Sequence, residues 1–380
     1  GILNIYRNHT QQAEEEDHLH DSIAVAMSGG VDSSVAAWLL RQQGEQAVGV
    51  TMRLFVPEDL APGQREQCHI LEDLQDAQTV AGQLGIPHHT LDLSGPFQEQ
   101  VMEPFVQAYE QGRTPNPCVT CNRTIKFGAL LEAAGQLGCG RLATGHYART
   151  ERDTGSGRVL LKRAVHPEKD QSYVLWSLSQ AQLERVCFPL GGLSKEEIRA
   201  IAEEQGLVSA RRWDSQDICF VPDGDYAAFL CHHTGRTYSP GPFCDPEGRV
   251  LGVHEGIIHY TVGQRRGLKV SSNQGRLYVK ELCPQENRVI LSDNQALFHR
   301  GLTGKELNLI PTERLDRPIR VQARIRYRMT PQPAWLEQTG PDTCRVTFDQ
   351  PQRAITPGQS VVFYDGPLVV GGAVILKEED

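Results

Sequence analysis

Residues 23–27 read Ile-Ala-Val-Ala-Met, an unbroken apolar run suited to a strand buried on both faces. The run passes directly into Ser28-Gly29-Gly30. From Val35 to Leu40 the apolar residues then recur at helical spacing until Gly44 stops them. The alternation repeats. Ala47 to Phe55 reads as a second strand, Leu74, Ala77, Val80, Ala81 and Leu84 mark one face of a second helix, and His88 to Leu93 gives a third strand. Phe97 to Tyr109 and Ile125 to Leu137 follow as helices, with Arg141 to Ala148 as strand and loop. Strands that alternate with helices predict an α/β domain built on a doubly wound parallel sheet.

The alternation breaks after about residue 150. Val159 to Ala164 reads as a strand pairing with Arg149 to Glu151 across the turn Asp153-Thr154-Gly155. Ser194 and Glu197 form a capping-box pattern at the start of a helix that Gly206 ends. From about residue 220 glycine and proline become frequent and the apolar runs shorten: 249–253, 277–282, 288–291, 319–325, 345–348, 360–364 and 372–376. That pattern predicts a small β-rich unit followed by a closed β-barrel. The expected division is a loose acidic arm over 1–20, a catalytic domain over 21–220, a central β-rich domain over 221–298, and a barrel over 299–380.

The 380 residues carry a formal net charge of −9, which on its face argues against a nucleic-acid partner. The charge is unevenly spread. Acids cluster at Glu14, Glu15, Glu16 and Asp17 and at Glu378, Glu379 and Asp380, both read as solvated tails. Bases cluster at Arg314, Arg317, Arg320, Arg324, Arg326 and Arg328. A local basic face matters more for RNA than the total. No apolar stretch is long enough to span a bilayer, and ten cysteines in this length do not make a secreted disulfide scaffold. A cytoplasmic protein with no membrane partner is expected.

Ala26-Met27-Ser28-Gly29-Gly30-Val31-Asp32-Ser33-Ser34 occupies the turn from the first strand into the first helix, where open α/β sheets bind ligands. Two glycines admit a close anion, and the helix start offers unpaired N–H groups and the positive dipole end. Ser28, Ser33 and Ser34 add hydroxyls. Asp32 would repel a phosphate, so it is read as holding Mg²⁺ or orienting the loop. No Gly-Lys-Ser/Thr ending follows, which excludes a Walker loop. An isolated Ser-Gly-Gly is as often an ordinary turn; the whole string resembles the pyrophosphatase loop of the ATP-pyrophosphatase (PP-loop) superfamily.

Arg113-Thr114-Pro115-Asn116-Pro117-Cys118-Val119-Thr120-Cys121-Asn122 is a proline-stiffened loop that opens a helix, where a thiol gains thiolate character, with Lys126 one turn on. Cys118-x-x-Cys121 also has metal-ligand or redox spacing. A third cysteine, Cys219, lies in Asp214-Ser215-Gln216-Asp217-Ile218-Cys219-Phe220. The other seven, Cys68, Cys139, Cys187, Cys231, Cys244, Cys283 and Cys344, are read as small buried apolar residues.

With these strings the chain resembles the tRNA-specific 2-thiouridylases (the MnmA, or TrmU, family) from about residue 21 to the end. The match extends through Ile125-Lys126-Phe127, Ala143-Thr144-Gly145-His146-Tyr147, Lys169-Asp170-Gln171-Ser172-Tyr173, 215–220, His259 to Arg265, Arg326-Tyr327-Arg328 and Pro357-Gly358-Gln359. The resemblance implies that Ala26, Met27, Ser28, Gly29, Gly30, Val31, Asp32, Ser33, Met52 and Gly145 line an ATP pocket, with Mg²⁺. It implies that Cys121 is the nucleophile and Cys219 the persulfide carrier. It places Asn116, Pro117, Cys118, His146, Lys169, Asp170, Gln171, Arg326, Tyr327 and Gln359 against tRNA, and it implies an upstream sulfur donor, a cysteine desulfurase or sulfur-relay protein. The implied reaction adenylates the 2-oxygen of the wobble uridine in tRNAs for Lys, Glu and Gln. A sulfur nucleophile then displaces AMP.

Many family members carry Asp where this chain has Cys118. Cys118, Cys121 and Cys219 could therefore hold three irons of a [4Fe–4S] cluster, leaving the fourth open to hydrosulfide. Alternatively Cys118 is a spare or resolving thiol, with Cys121 and Cys219 working by persulfide and disulfide. Arg320, Arg324, Arg326 and Arg328 alternate with Val321, Ala323, Ile325 and Tyr327, a stripe that is either solvated or tracks a phosphate backbone with Arg265, Arg266 and Lys269. His18, His20, His232 and His233 lack metal partners at useful spacing and are read as surface. Two other readings stand beside the thiolase: a PP-loop synthetase that amidates a small substrate, and a non-catalytic iron–sulfur or tRNA-binding module.

Overall fold

A computed structural model of the chain describes residues 22–211, 218–270 and 275–379. The acidic arm, His18, His20, Asp380 and the 214–217 part of the Cys219 string lie outside the described residues. The chain divides into two compact units, the described residues of Gly1–Val56, His69–Gln98 and Cys121–Gln216, and those of Pro57–Cys68, Glu99–Thr120 and Asp217–Asp380.

The first unit is built on β1 (Ser22–Ala26), α1 (Val31–Gln42), β2 (Ala47–Arg53), α2 (Ile70–Leu84), β3 (His88–Asp92) and β4 (Cys139–Ala143). A hairpin of β5 (Ala148–Arg152) and β6 (Val159–Arg163) follows, then β7 (Val186–Cys187) and α3 (Lys195–Glu204). Its sheet is parallel throughout, in the order β3-β2-β1-β4-β7. The order reverses direction between β1 and β4. This opens a crevice at the carboxyl ends of those two strands, the topological switch point of a doubly wound sheet. The apolar faces expected of α1 and α2 pack on the sheet: Val35, Ala36 and Leu40 join Ala77, Val80 and Ala81 in one buried cluster with Val25 and Met27. The Asp153 turn connects β5 to β6, and Ser194 and Glu197 cap α3 reciprocally, Glu197 N–H donating to Ser194 Oγ at 3.2 Å and Ser194 N–H to Glu197 Oε2 at 2.7 Å. The helices expected over 97–109 and 125–137 are interrupted by π-turns at Gln98–Met102 and Asn122–Ala129. The second of these begins immediately after Cys121.

The second unit contains two β assemblies. β8 (Gly241–Cys244), β9 (Val250–His254), β10 (Tyr278–Cys283) and β11 (Arg288–Ser292) form a four-stranded sheet in the order β10-β11-β8-β9. β12 (Phe298–Leu309), β13 (Ile319–Arg324), β14 (Gln332–Gln338), β15 (Cys344–Arg353), β16 (Ser360–Asp365) and β17 (Leu368–Glu379) run antiparallel in the order 12-15-14-13-16-17. Pairing of β12 with β17 closes them into a six-stranded barrel, which removes every exposed edge. Its interior is filled by alternate residues, among them Leu302, Val321, Ala323, Leu336, Val346, Phe348, Val361 and Phe363.

Three expectations change here. The terminal acids Glu378 and Glu379 are not a solvated tail: they belong to β17, where they pair with β12, and Glu379 accepts a hydrogen bond from Arg345 at 2.9 Å. The arginine stripe ends with β13 at Arg324, because the chain turns at 325–329. Arg320 is committed to Asp349 through two 2.7 Å bonds and lies over the Trp335 ring. His233 is not a plain surface residue; its ring is largely buried, with Nε2 2.9 Å from a Glu103 carboxylate oxygen and stacked on Phe229.

Candidate active site

The phosphate loop rises from the carboxyl end of β1. Gly30 is the N-cap of α1 in extended conformation, with no side-chain cap, so the helix start keeps its N–H groups available. The serines brace the loop. Ser33 Oγ accepts from Ser28 N–H at 3.1 Å and donates to Gly30 O at 3.2 Å, and Ser34 Oγ donates to Gly30 O at 2.8 Å. Gly29 has φ +78°, and a Cβ there would fall 2.3 Å from Asp73 O, so no other residue fits without displacing backbone. A Cβ on Gly145, in the loop after β4, would fall 2.9 Å from Ser33 N. The two loops at the switch point therefore touch backbone to backbone. Ala26 ends β1, and Met52 lies two residues past Val50, the register partner of Ala26 on the neighbouring strand.

Asp32 faces two donors that sequence reasoning did not assign. Lys195 Nζ and Tyr147 OH each lie 2.7 Å from Asp32 Oδ1, while Oδ2 accepts no hydrogen bond among the described residues. Lys195 is buried, 6 % exposed, and opens α3 directly after its Ser194 cap. A signal existed: a lysine in the first turn of a helix opposes the helix dipole, so it needs an anionic partner elsewhere.

Other expected residues divide by environment. His146 is buried with Nδ1 2.7 Å from Thr144 Oγ1 and its ring between Phe127 and Phe188. Burial first, and the Lys126 charge second, push its pKa well below the ordinary value, so the ring is neutral. Asp170 is also buried: it accepts from Ala164 N–H at 3.0 Å and from Ser172 Oγ at 2.9 Å. Gln171 Oε1 accepts from Tyr147 N–H at 2.9 Å, so it braces the segment carrying the tyrosine that faces Asp32. Asn122 is buried beside Cys121 in sequence. Its Nδ2 donates to Val174 O at 2.9 Å, and its Oδ1 finds no partner among the described residues.

In the second unit Gln359 Nε2 donates to Thr114 O at 2.7 Å and to Pro115 O at 3.3 Å, while Thr114 N–H donates to Pro357 O at 3.0 Å. The barrel residues 357–359 thus strap down the stretch that leads to Asn116, Pro117 and Cys118. Arg326 is half-buried, its guanidinium donating to Arg353 O at 2.9 Å and Ala354 O at 2.6 Å, and Tyr327 is exposed.

Cys118 and Cys219 are exposed and Cys121 is buried. Cys118 sits in the first turn of the helix Pro117–Cys121, with Cys121 one turn further on. Phe220 anchors the chain next to Cys219 by packing edge-on to Phe105, ring centroids 5.2 Å apart, and against Phe229 at 5.0 Å. Of the seven cysteines expected in the core, Cys139, Cys244 and Cys344 are buried, whereas Cys68, Cys187, Cys231 and Cys283 are only partly covered. Among the described residues no group of three or more His, Cys, Asp or Glu side chains converges as a metal-binding set. No helix is long and apolar enough to cross a membrane among those residues.

Comparison with known proteins agrees with this architecture. The family model described as tRNA methyl transferase HUP domain matches residues 21–223, the PRC-barrel domain of that name matches 227–293, and the aminomethyltransferase β-barrel domain matches 299–375. The tRNA-specific 2-thiouridylase MnmA of Clostridioides difficile is 45% identical over 94% of this chain and 99% of its own length. MnmA 1 of Caldanaerobacter subterraneus subsp. tengcongensis is 48% identical over 95% of this chain and 99% of its own. Over nearly its whole length, with all three domains in order, the chain belongs to the tRNA-specific 2-thiouridylase (MnmA) family.

Proposed function

We propose that this protein uses ATP to convert the wobble uridine of tRNAs for Lys, Glu and Gln to 2-thiouridine. The observation that carries the reading is the phosphate loop at the switch point, with an uncapped helix start, a glycine whose Cβ would lie 2.3 Å from the Asp73 carbonyl oxygen, and a buried lysine behind Asp32. The residues fit ATP. Ser28 to Ser33 would receive its phosphates through backbone N–H groups and hydroxyls, and Ala26, Met52 and Gly145 would flank the nucleotide. Asp32 Oδ2 would take Mg²⁺, which offsets charge on the departing pyrophosphate.

The uracil 2-oxygen attacks the α-phosphate, and the bond to pyrophosphate breaks. C2 then carries AMP as a leaving group, which a bare oxygen is not. The terminal sulfur of a persulfide on Cys219 attacks C2 and expels AMP. Cys121 thiolate next attacks the Cys219 sulfur, releasing the thiocarbonyl and leaving a disulfide that an external thiol must reduce. A desulfurase or sulfur-relay protein would recharge Cys219, whose exposure supports such an exchange.

The direct test is thiolation of unmodified tRNA by protein purified without oxygen, with iron and sulfide measured on the same sample. Wild type given ATP and a persulfide donor is expected to form 2-thiouridine and pyrophosphate, Cys118→Ala to retain activity, and Cys219→Ala to lose it. Stoichiometric iron, lost together with activity in Cys118→Ala, would replace the persulfide route by one in which Cys118, Cys121 and Cys219 ligate a cluster. Failure to thiolate with either sulfide or a persulfide donor would sink the proposal.

A further inference from the structure

Cys219 stands in a tight turn closed by Val221 N–H, which donates to Ile218 O at 2.9 Å, and a second turn follows at once, Gly224 N–H to Val221 O at 3.1 Å. The thiol is exposed, but the residues that leave the turn are not: Phe220 is held between Phe105 and Phe229, and Val221 is fully buried. A polar anchor lies just beyond them. Gln64 Nε2 donates to Asp223 Oδ1 at 2.8 Å and to Asp225 O at 3.0 Å, while its Oε1 accepts from Ala61 N–H at 3.3 Å. Asp223 Oδ1 also accepts from Asp225 N–H at 2.9 Å, and Asp225 caps the helix Tyr226–Thr234 through Ala228 N–H at 2.9 Å.

Gln64 is fully buried although Pro62, Gly63 and Arg65 around it are exposed. A buried amide destabilises the fold unless its hydrogen bonds are made. The three bonds of Gln64 also fix its orientation, because a carboxylate and a carbonyl oxygen can only accept from Nε2 and a backbone N–H can only donate to Oε1. The segment Pro57–Cys68 that carries it follows β2 in sequence yet belongs to the second unit, where Glu58 O lies 3.1 Å from His232 Nε2 on the same Tyr226–Thr234 helix. We infer that Gln64 is a positioning residue for the sulfur-transfer step. It clamps the base of the Cys219 turn, so that a thiol open to its donor is still held in one orientation toward its acceptor. The inference rests on the persulfide reading of Cys219 above and adds the residue that aims it.

The test uses the full chain, with Cys219 charged by glutathione persulfide and the charged protein then mixed with ATP and an unmodified tRNA transcript for a single turnover. Gln64→Glu keeps the shape of the side chain but turns an acceptor oxygen toward the oxygens of Asp223 and Asp225. Sulfur transfer should slow about 10–100-fold, as for a reacting group displaced by about 1 Å. Charging of Cys219, pyrophosphate release and the KM for ATP should keep their wild-type values, which a general folding defect would not allow. Adding Asp223→Asn takes away the opposing carboxylate and supplies a donor, so the double variant should recover part of the lost rate. Transfer by Gln64→Glu at the wild-type rate, with Cys219→Ala inactive, would overturn the inference alone. So would a loss that falls equally on pyrophosphate release, or a double variant no faster than Gln64→Glu. Thiolation by Cys219→Ala would overturn the persulfide reading and this inference with it.

Discussion

Replacing Lys195 with methionine removes the ammonium 2.7 Å from Asp32 while keeping the length of the side chain. Breaking a fully buried ion pair from one side costs about 3–5 kcal/mol, because the surviving charge is left without its partner in a poorly solvating site. The two sides here are unequal: the Lys195 side chain is 8% exposed and that of Asp32 is 29%. Lys195→Met strands the better-solvated charge, which also keeps the Tyr147 hydroxyl, so its loss should be only about 1–2 kcal/mol. Asp32→Ala takes the carboxylate from an ammonium whose side chain is only 8% exposed, so its loss should be larger, toward about 3–5 kcal/mol. At roughly 2–4 °C per kcal/mol for a unit of this size, the first unit should melt about 2–8 °C lower in Lys195→Met and clearly lower still in Asp32→Ala. Calorimetry of the full chain measures this, with hydrogen exchange of the α1 amides identifying the transition that belongs to the first unit. The double variant should melt above Asp32→Ala, since it removes the ammonium together with its carboxylate. Equal losses, the reverse order, or a double variant showing the simple sum would refute the pairing argument.

Three further outcomes are expected. Gly145→Ala forces a Cβ to 2.9 Å from Ser33 N and 3.0 Å from Asp32 C, so isothermal titration should show ATP affinity lost while the barrel transition stays in place. At pH 8 iodoacetamide followed by mass spectrometry should label Cys118 and Cys219 first and Cys344 last. Burial pushes the Cys344 thiol up to about 12, leaving its thiolate about a thousandfold rarer than that of an ordinary thiol. His146, held neutral by burial, takes up a proton only on unfolding, so the unfolded state binds more protons below the ordinary histidine pKa. Stability should therefore fall as pH drops from 7 to 5. Half-buried His88 and buried His254 share that slope, and His146→Gln should make it shallower in pH-resolved melting.

What could be read without coordinates was whatever the local pattern determines. Short apolar runs alternating with helical periodicity specify parallel strands and crossovers, since each period selects its own burial face. The Ser194–Glu197 box and the Gly29-Gly30 loop are encoded within a few residues, so both were legible. Strands β12 and β14 were not. Phe298–Leu309 carries two glycines and a run of polar residues, and Gln332–Gln338 buries only Ala334 and Leu336, so neither shows a strong alternation until its neighbours cover it. The terminal acids read as a tail because nothing local reveals that β12 waits to pair with them.

Sequence located the loop and Gly145, which the fold brings together, while the three cysteines carry chemistry through family likeness alone. Tertiary structure alone joined Lys195 and Tyr147 to Asp32, across 163 and 115 residues of chain. It also turned Gln359 and Arg326 into struts that hold backbone carbonyls. Hydrogen bonds and ion pairs between distant residues leave no periodic trace in the chain. They exist only once burial has brought the partners together and removed the water that would otherwise satisfy them.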